Sequence, residues 1–163
     1  MLFRKISKNG TCVLFLMVFF AKCYGTCSGI GCSCSVATTA VAFGIYNSAS
    51  NSDVAGNVAV TCSAVAVGFN VAYVIKLSAG GAASFSPRTL ANGGYTLQYN
   101  LYTNAARTHI WGDGTSSTNT VSDAYTALVL LQLKNYAVYG RLPASQNGAA
   151  GTYNDSITVT VEY

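Results

Sequence analysis

The strictest constraint on this chain is a period of two. Residues 154–163, NDSITVTVEY, put Ile157, Val159, Val161 and Tyr163 on one side and Thr158, Thr160 and Glu162 on the other. That alternation fits a half-buried β-strand and no helix. The signal recurs at residues 57–62 (NVAVTC), at residues 95–103 (YTLQYNLYT), and over residues 69–77. In the last of these Phe69, Val71, Tyr73, Ile75 and Leu77 alternate with Asn70, Ala72, Val74 and Lys76. Residues 36–46 give a first strand region, and residues 107–111 a short one ahead of the turn at Gly112-Asp113-Gly114. Residues 127–133 are dense in leucine, yet Tyr136, Val138 and Tyr139 continue the run with β-favouring residues, so it reads as a strand. No window carries sustained helical periodicity with caps at both ends. About seven short strands joined by Gly, Ser and Asn turns predict one all-β domain, a sandwich or small barrel.

Charge then narrows the function. Nine Lys or Arg against five Asp or Glu give a formal charge of +4 over 163 residues. Arg4, Lys5, Lys8 and Lys22 all precede position 23. The remaining Lys76, Arg88, Arg107, Lys134 and Arg141 balance Asp53, Asp113, Asp123, Asp155 and Glu162, so the body is neutral. A neutral, charge-poor body offers no footprint for phosphate backbones, which argues against a nucleic-acid partner. The basic start leads into residues 12–21, CVLFLMVFFA, an apolar run that stops at Lys22. A spanning helix needs about 20 such residues. The pattern predicts a secretory signal peptide over residues 1–25 and an exported domain over residues 26–163, the alternative being a retained membrane anchor.

Export makes disulfides the natural state of Cys27, Cys32, Cys34 and Cys62, among which three pairings are open. Cys34 and Cys62 each stand at the end of an alternating run, which suits a bridge between two strands and leaves Cys27 with Cys32, closing CSGIGC. The rival is a thiolate metal site on C-x4-C-x-C, for which His109 is the one histidine on offer as a fourth ligand. No metal and no cofactor is expected. Nothing assembles an active site either. His109 has no second histidine or carboxylate pair beside it, Asp113 sits in a glycine-flanked turn, and no serine stands in a nucleophile elbow. An enzyme is not expected. Loops at residues 47–57, 80–86 and 112–119 are the candidates for contact with a surface.

Three ordered blocks carry a resemblance. Cys34-Ser35-Val36 leading to Phe43-Gly44 and Tyr46, then VAVTC at residues 58–62, is similar to the opening of the spore coat protein U domain. RTLANGGYTLQYNLYTNAARTHIWGDG at residues 88–114 resembles its central block, and VYGRLPASQNGAAGTYNDSITVTVEY at residues 138–163 its closing block. The resemblance implies an immunoglobulin-like sandwich that is incomplete, lacking its last strand, in a subunit of archaic chaperone–usher pili. A periplasmic chaperone would lend the missing strand, an outer-membrane usher would assemble the fibre, and a neighbouring pilus subunit would replace the lent strand. Such a protein passes through the periplasm to the cell surface, or is secreted, and serves attachment and biofilm formation, with a surface or glycan as receptor.

On that reading Ile157, Val159, Val161 and Tyr163 line the groove that receives the donor strand. The plainer reading makes the same residues core on a complete fold, in a self-sufficient secreted spore-coat or carbohydrate-binding domain. A donor strand needs roughly ten alternating residues. Between residue 25 and Cys34 stand only TCSGIGCS, so the expectation is a subunit that accepts a strand and gives none, as at a tip or terminating position, or a secreted domain outside any fibre.

Overall fold

Where apolar side chains recur at every second position, two sheets can share one dry interior, and that is the architecture here. The computed structural model describes residues 2–7 and 25–163. Ten strands lie in these segments: β1 (Leu2–Ser7), β2 (Thr26–Ser28), β3 (Ser33–Thr39), β4 (Ser52–Ser63), β5 (Phe69–Leu77), β6 (Arg88–Asn92), β7 (Tyr95–Tyr102), β8 (Val121–Ala127), β9 (Leu131–Leu142) and β10 (Ile157–Glu162). Within residues 25–163 seven of them have six residues or more, and one short 3-10 turn at Gly80–Ala82 is the only helical element described there. The fold is the all-β, two-sheet sandwich of immunoglobulin type that the alternation and the resemblance led to.

The first sheet is built on β5. One edge of β5 carries β8, from Phe69↔Ala127 to Ile75↔Val121. The other edge is shared end to end by two strands. β10 pairs its later half, Val159↔Leu77 to Glu162↔Val74, and β2 its earlier half, Thr26↔Ala72 to Ser28↔Asn70. The second sheet runs β3-β4-β9-β7-β6, with β4 and β9 paired over twelve positions from Ser52↔Leu142 to Ser63↔Leu131. Between the sheets Val58, Val60, Tyr73, Ile75, Val159 and Val161 are buried together. Each such aliphatic side chain contributes about 1.5–3 kcal/mol by leaving water.

Three segments depart from the alternation reading. β3 ends at Thr39, and residues 40–46 cross the end of the sandwich without regular structure. Two glycines make room for that crossing: a Cβ on Gly140 would stand 2.5 Å from Val41, and one on Gly56 would stand 2.6 Å from the Thr39 carbonyl. Residues 107–111 contribute single bridges, Tyr102↔Ile110 and Trp111↔Asn119, in place of a strand. The leucine-rich run is divided, with Ala127 closing β8, residues 128–130 bending, and Leu131 opening β9. β6 and β8 were not visible as alternation, since RTLAN and VSDAYTA mix polar and small residues on both faces.

Candidate functional site

The C-terminal strand β10 has two edges, and only one belongs to the body of the sandwich. Its other edge is covered by β1, in parallel, from Leu2↔Ile157 through Arg4↔Val159 to Ser7↔Glu162. β1 also lies beside β3, so it occupies a slot between the last strand of one sheet and the first strand of the other. Residues 12–21, the apolar run of the expected signal peptide, fall outside the described residues.

Ile157, Val159, Val161 and Tyr163 point from β10 into the interior, where each is 6% exposed or less. They form the floor of the slot and the core of the sandwich at once. Val36 of β3 is buried in the same core. One end of the slot is closed by the Tyr163 hydroxyl, which donates to the Cys34 carbonyl at 3.5 Å. Gly25 turns beside it at φ +59°, where a Cβ would stand 2.4 Å from the Tyr163 Cα, so the backbones pass without room for a side chain. At the other end, between Thr39 and Ile157, lies a cavity of about 60 Å³ that reaches Tyr99 and Asp155.

The start of β10 is clamped by groups that the sequence alone did not single out. Asp155 accepts from the Tyr99 hydroxyl at 2.6 Å, from Gly81 N–H at 2.8 Å and from Ser156 N–H at 2.7 Å. Burial pushes the Tyr99 hydroxyl well above its ordinary pKa, and the carboxylate beside it adds to this, so Tyr99 remains a donor. Ser78 N–H donates to the Thr158 carbonyl at 3.0 Å, and Thr158 N–H donates to Ser78 Oγ at 2.9 Å. Ser78 is itself held by Arg88, wholly buried, whose Nε and Nη2 both donate to the Ser78 carbonyl, at 3.1 and 2.9 Å. Its remaining bonds go to Asn100 Oδ1 at 2.8 Å and the Trp111 carbonyl at 2.7 Å. Arg88 therefore positions β10 through Ser78. Its place at the start of RTLAN is no signal of this.

The cysteines are joined as Cys27–Cys32 and Cys34–Cys62. Cys34 and Cys62 stand directly opposite in the β3–β4 register, so their bridge staples neighbouring strands of one sheet. With the four sulfurs bonded in pairs, the thiolate metal site has no ligands. His109 is exposed on a loop that Asn104 organises, its Oδ1 accepting from the N–H groups of Thr108 and His109. Asp113 accepts from Thr115 N–H and Oγ1, as a turn residue does.

Most of the large exposed apolar side chains lie away from the loops singled out above, while Ile45, 98% exposed, stands just ahead of residues 47–57. Ile30, Val65 and Leu128 are each more than 70% exposed, and Val67, Val129, Leu130, Leu131 and Leu133 are about half exposed or more. Three segments bring them together: Val65 N–H donates to the Ile30 carbonyl at 2.9 Å, Ala64 N–H to the Leu130 carbonyl at 3.1 Å and Gly68 N–H to the Ala127 carbonyl at 2.7 Å. Residues 25–33, 63–69 and 127–133 contain no charged side chain. This end of the sandwich lies beyond β2 and Ser28, at the start of β5.

The Spore Coat Protein U domain model matches residues 28–160. Protein U of Myxococcus xanthus is 29% identical over 150 residues, which span 83% of this chain and 80% of that protein. Among solved structures, the chain aligns with the CsuC–CsuE chaperone–tip adhesion subunit pre-assembly complex from archaic chaperone–usher Csu pili of Acinetobacter baumannii. The TM-score is 0.51 at 24% identity, over 81% of this chain and 40% of that one, a likeness of fold.

Proposed function

This chain belongs to the Spore Coat Protein U domain family, and we propose that it is an exported structural and adhesive subunit of a chaperone–usher pilus, completed by a strand from a partner. The observation that carries the reading is the outer edge of β10, which nothing in residues 25–163 pairs and which residues 2–7 cover. If residues 1–25 leave as a signal peptide, that edge is open. An open edge over a dry floor is an aggregation hazard until another strand pairs with it. Backbone hydrogen bonds along β10 would give such a strand its affinity, and the floor of Ile157, Val159, Val161 and Tyr163 would fix its register. A periplasmic chaperone, an usher and neighbouring subunits are the partners this mode of assembly requires.

The uncharged, aliphatic loop end supports the adhesive half of the proposal. A cluster of exposed aliphatic side chains without charges or aromatic rings suits an apolar, uncharged surface better than a sugar, whose recognition needs hydrogen-bonding groups. Attachment and biofilm formation would begin there. A second reading has one observation in its favour: β1 comes from the chain itself. If residues 2–7 were retained, the domain would cover its own edge and stand alone as a secreted coat domain.

The experiment is to produce the chain in the periplasm with and without a chaperone of this class, and to sequence its N-terminus. The proposal expects a start near residue 26, aggregation or degradation without the chaperone, and a soluble one-to-one complex with it. A soluble, cooperatively folding monomer that begins near residue 26 and needs no chaperone would overturn it. Retention of residues 2–7 would decide for self-coverage.

A further inference from the structure

The two disulfides are neighbours in space as well as in sequence. Cys27 lies in β2 on the first sheet, paired with Val71, whereas Cys34 lies in β3 on the second, opposite Cys62. The chain changes sheets between them through a turn in which Cys32 N–H donates to the Gly29 carbonyl at 3.1 Å. That crossing folds back and leaves the sulfur of Cys27 only 4.0 Å from the sulfur of Cys34. Burial divides the pairs. Cys34 is 6% exposed and Cys62 fully buried, while Cys27 and Cys32 are half-buried. A reductant arriving from solvent therefore meets Cys27–Cys32 first.

We propose that the four sulfurs form one exchange relay, in which Cys27, when freed from Cys32, attacks Cys34 and passes the opening inward to Cys62. The Cys27 thiolate attacks the Cys34 sulfur, a Cys27–Cys34 bond forms, the Cys34–Cys62 bond breaks, and Cys62 leaves as a thiolate that takes up a proton. The step is redox-neutral overall: Cys27 is oxidised from thiolate to disulfide as Cys62 is reduced from disulfide to thiolate. An external dithiol is consumed only in opening Cys27–Cys32, which it reduces while becoming a disulfide itself.

Run in reverse, the relay is a folding device. Cys27, Cys32 and Cys34 are made before Cys62, which follows Cys34 by 28 residues. An early pairing of Cys27 with Cys34 is one exchange from the native pair once β4 brings the Cys62 thiolate alongside β3. Cys34–Cys62 is then reached without further oxidation, and Cys27, released as a thiol, closes with Cys32 in a second two-electron oxidation by an external disulfide, which is reduced to a dithiol. This inference does not depend on what covers β10.

The test uses protein isolated from the periplasm, with whatever partner accompanies it left in place. Cys32→Ser frees the thiol of Cys27, and Cys27→Ser frees that of Cys32. Each is incubated near pH 8, where a substantial share of ordinary thiols is ionised, then alkylated and mapped by mass spectrometry. The expected result in Cys32→Ser is Cys27–Cys34 with labelled Cys62, the label on Cys62 being at least roughly tenfold more than in Cys27→Ser. An intact Cys34–Cys62 with labelled Cys27, or equal scrambling in both variants, would overturn the relay. The wild-type protein gives a reading that does not depend on the variants folding. Under limiting dithiol, Cys62 should become labelled only after Cys32 does, and a double Cys27→Ser, Cys32→Ser variant should lose Cys34–Cys62 more slowly than wild type. Equal rates for that bond with and without Cys27 would contradict the proposal.

Discussion

Leaving β1 aside, the first sheet has β10 and β2 on one side of β5 and β8 on the other, and β10 and β8 treat the same hazard in opposite ways. Both pair with β5 along one edge. β8 turns a carboxylate inward: Asp123 accepts from the Tyr136 hydroxyl at 2.6 Å, and Tyr136 in turn shares a 2.5 Å hydrogen bond with buried Tyr73. A strand adding to β8 would have to desolvate that charge further, and inward charges of this kind blunt sheet edges. β10 turns only Ile157, Val159 and Val161 inward, and its one charge, Glu162, faces outward in an ion pair with Lys76 at 2.7 Å. The contrast teaches that an edge is made receptive by what lies behind it. On the proposed reading, the sandwich guards one side and leaves the other for a strand.

Four perturbations bear on that contrast. The largest should come from Val159→Lys against Ala124→Lys. Val159 is fully buried and offers a lysine no partner, so a loss of more than about 4 kcal/mol is expected, enough to prevent folding even with a donor strand. Ala124 is exposed, and the change there should stay within about 0.5 kcal/mol. Chaperone-dependent solubility would show both, and equal tolerance would erase the distinction between the edges.

Asp123→Val should cost about 1–3 kcal/mol, because Tyr136 loses its acceptor. It should also remove the guard on β8, so that sedimentation detects self-association absent from the parent. A variant that stays monomeric would mean the carboxylate does not protect that edge. Smaller again is the response to alkali. Burial raises the pKa of Tyr73 and of Tyr136 above the ordinary tyrosine value. Above about pH 10 the unfolded chain's tyrosines ionise while these stay protonated. The unfolded state then binds fewer protons, so the contribution is complete below that pH and is lost as pH rises. Denaturant midpoints should fall with rising pH, and less steeply in Tyr73→Phe.

The smallest effect is expected at a site remote from both edges. Asp53 takes two hydrogen bonds from Arg141, at 2.7 Å each, which with nearby Arg107 hold its carboxyl below the usual range. Its contribution is present above the unfolded pKa and is lost as pH falls through the folded one. On a surface ion pair that amounts to about 0–1 kcal/mol. Asp53→Asn should match the parent in strong acid and differ slightly at neutrality, as thermal melts would show.

β10 was legible because Ile157, Val159 and Val161 face a single interior, which writes itself as period two. β5 and β7 were legible for the same reason. β8 was not, because its guard, Asp123, breaks the apolar pattern at the position that would have revealed the strand. Residues 128–133 misled in the other direction. Their leucines read as the middle of a strand, whereas they form a bend and an exposed end, and composition does not tell a buried leucine from a displayed one. Arg88 was hidden more thoroughly. Its importance lies in the carbonyls of Ser78 and Trp111, ten and 23 residues away, and backbone acceptors leave no trace in a sequence. Arg88→Leu leaves those acceptors unpaired and should loosen the start of β10 ahead of β8.

Amide hydrogen exchange on the chain from residue 26 onward, bare and with a donor strand bound, tests the central claim most directly. The account predicts that the amides of β10, from Ile157 to Glu162, gain strong protection when the strand is present, while those of β8 are guarded by β5 alone and change far less. Full protection of β10 in the bare chain, or equal gains along both strands, would contradict it.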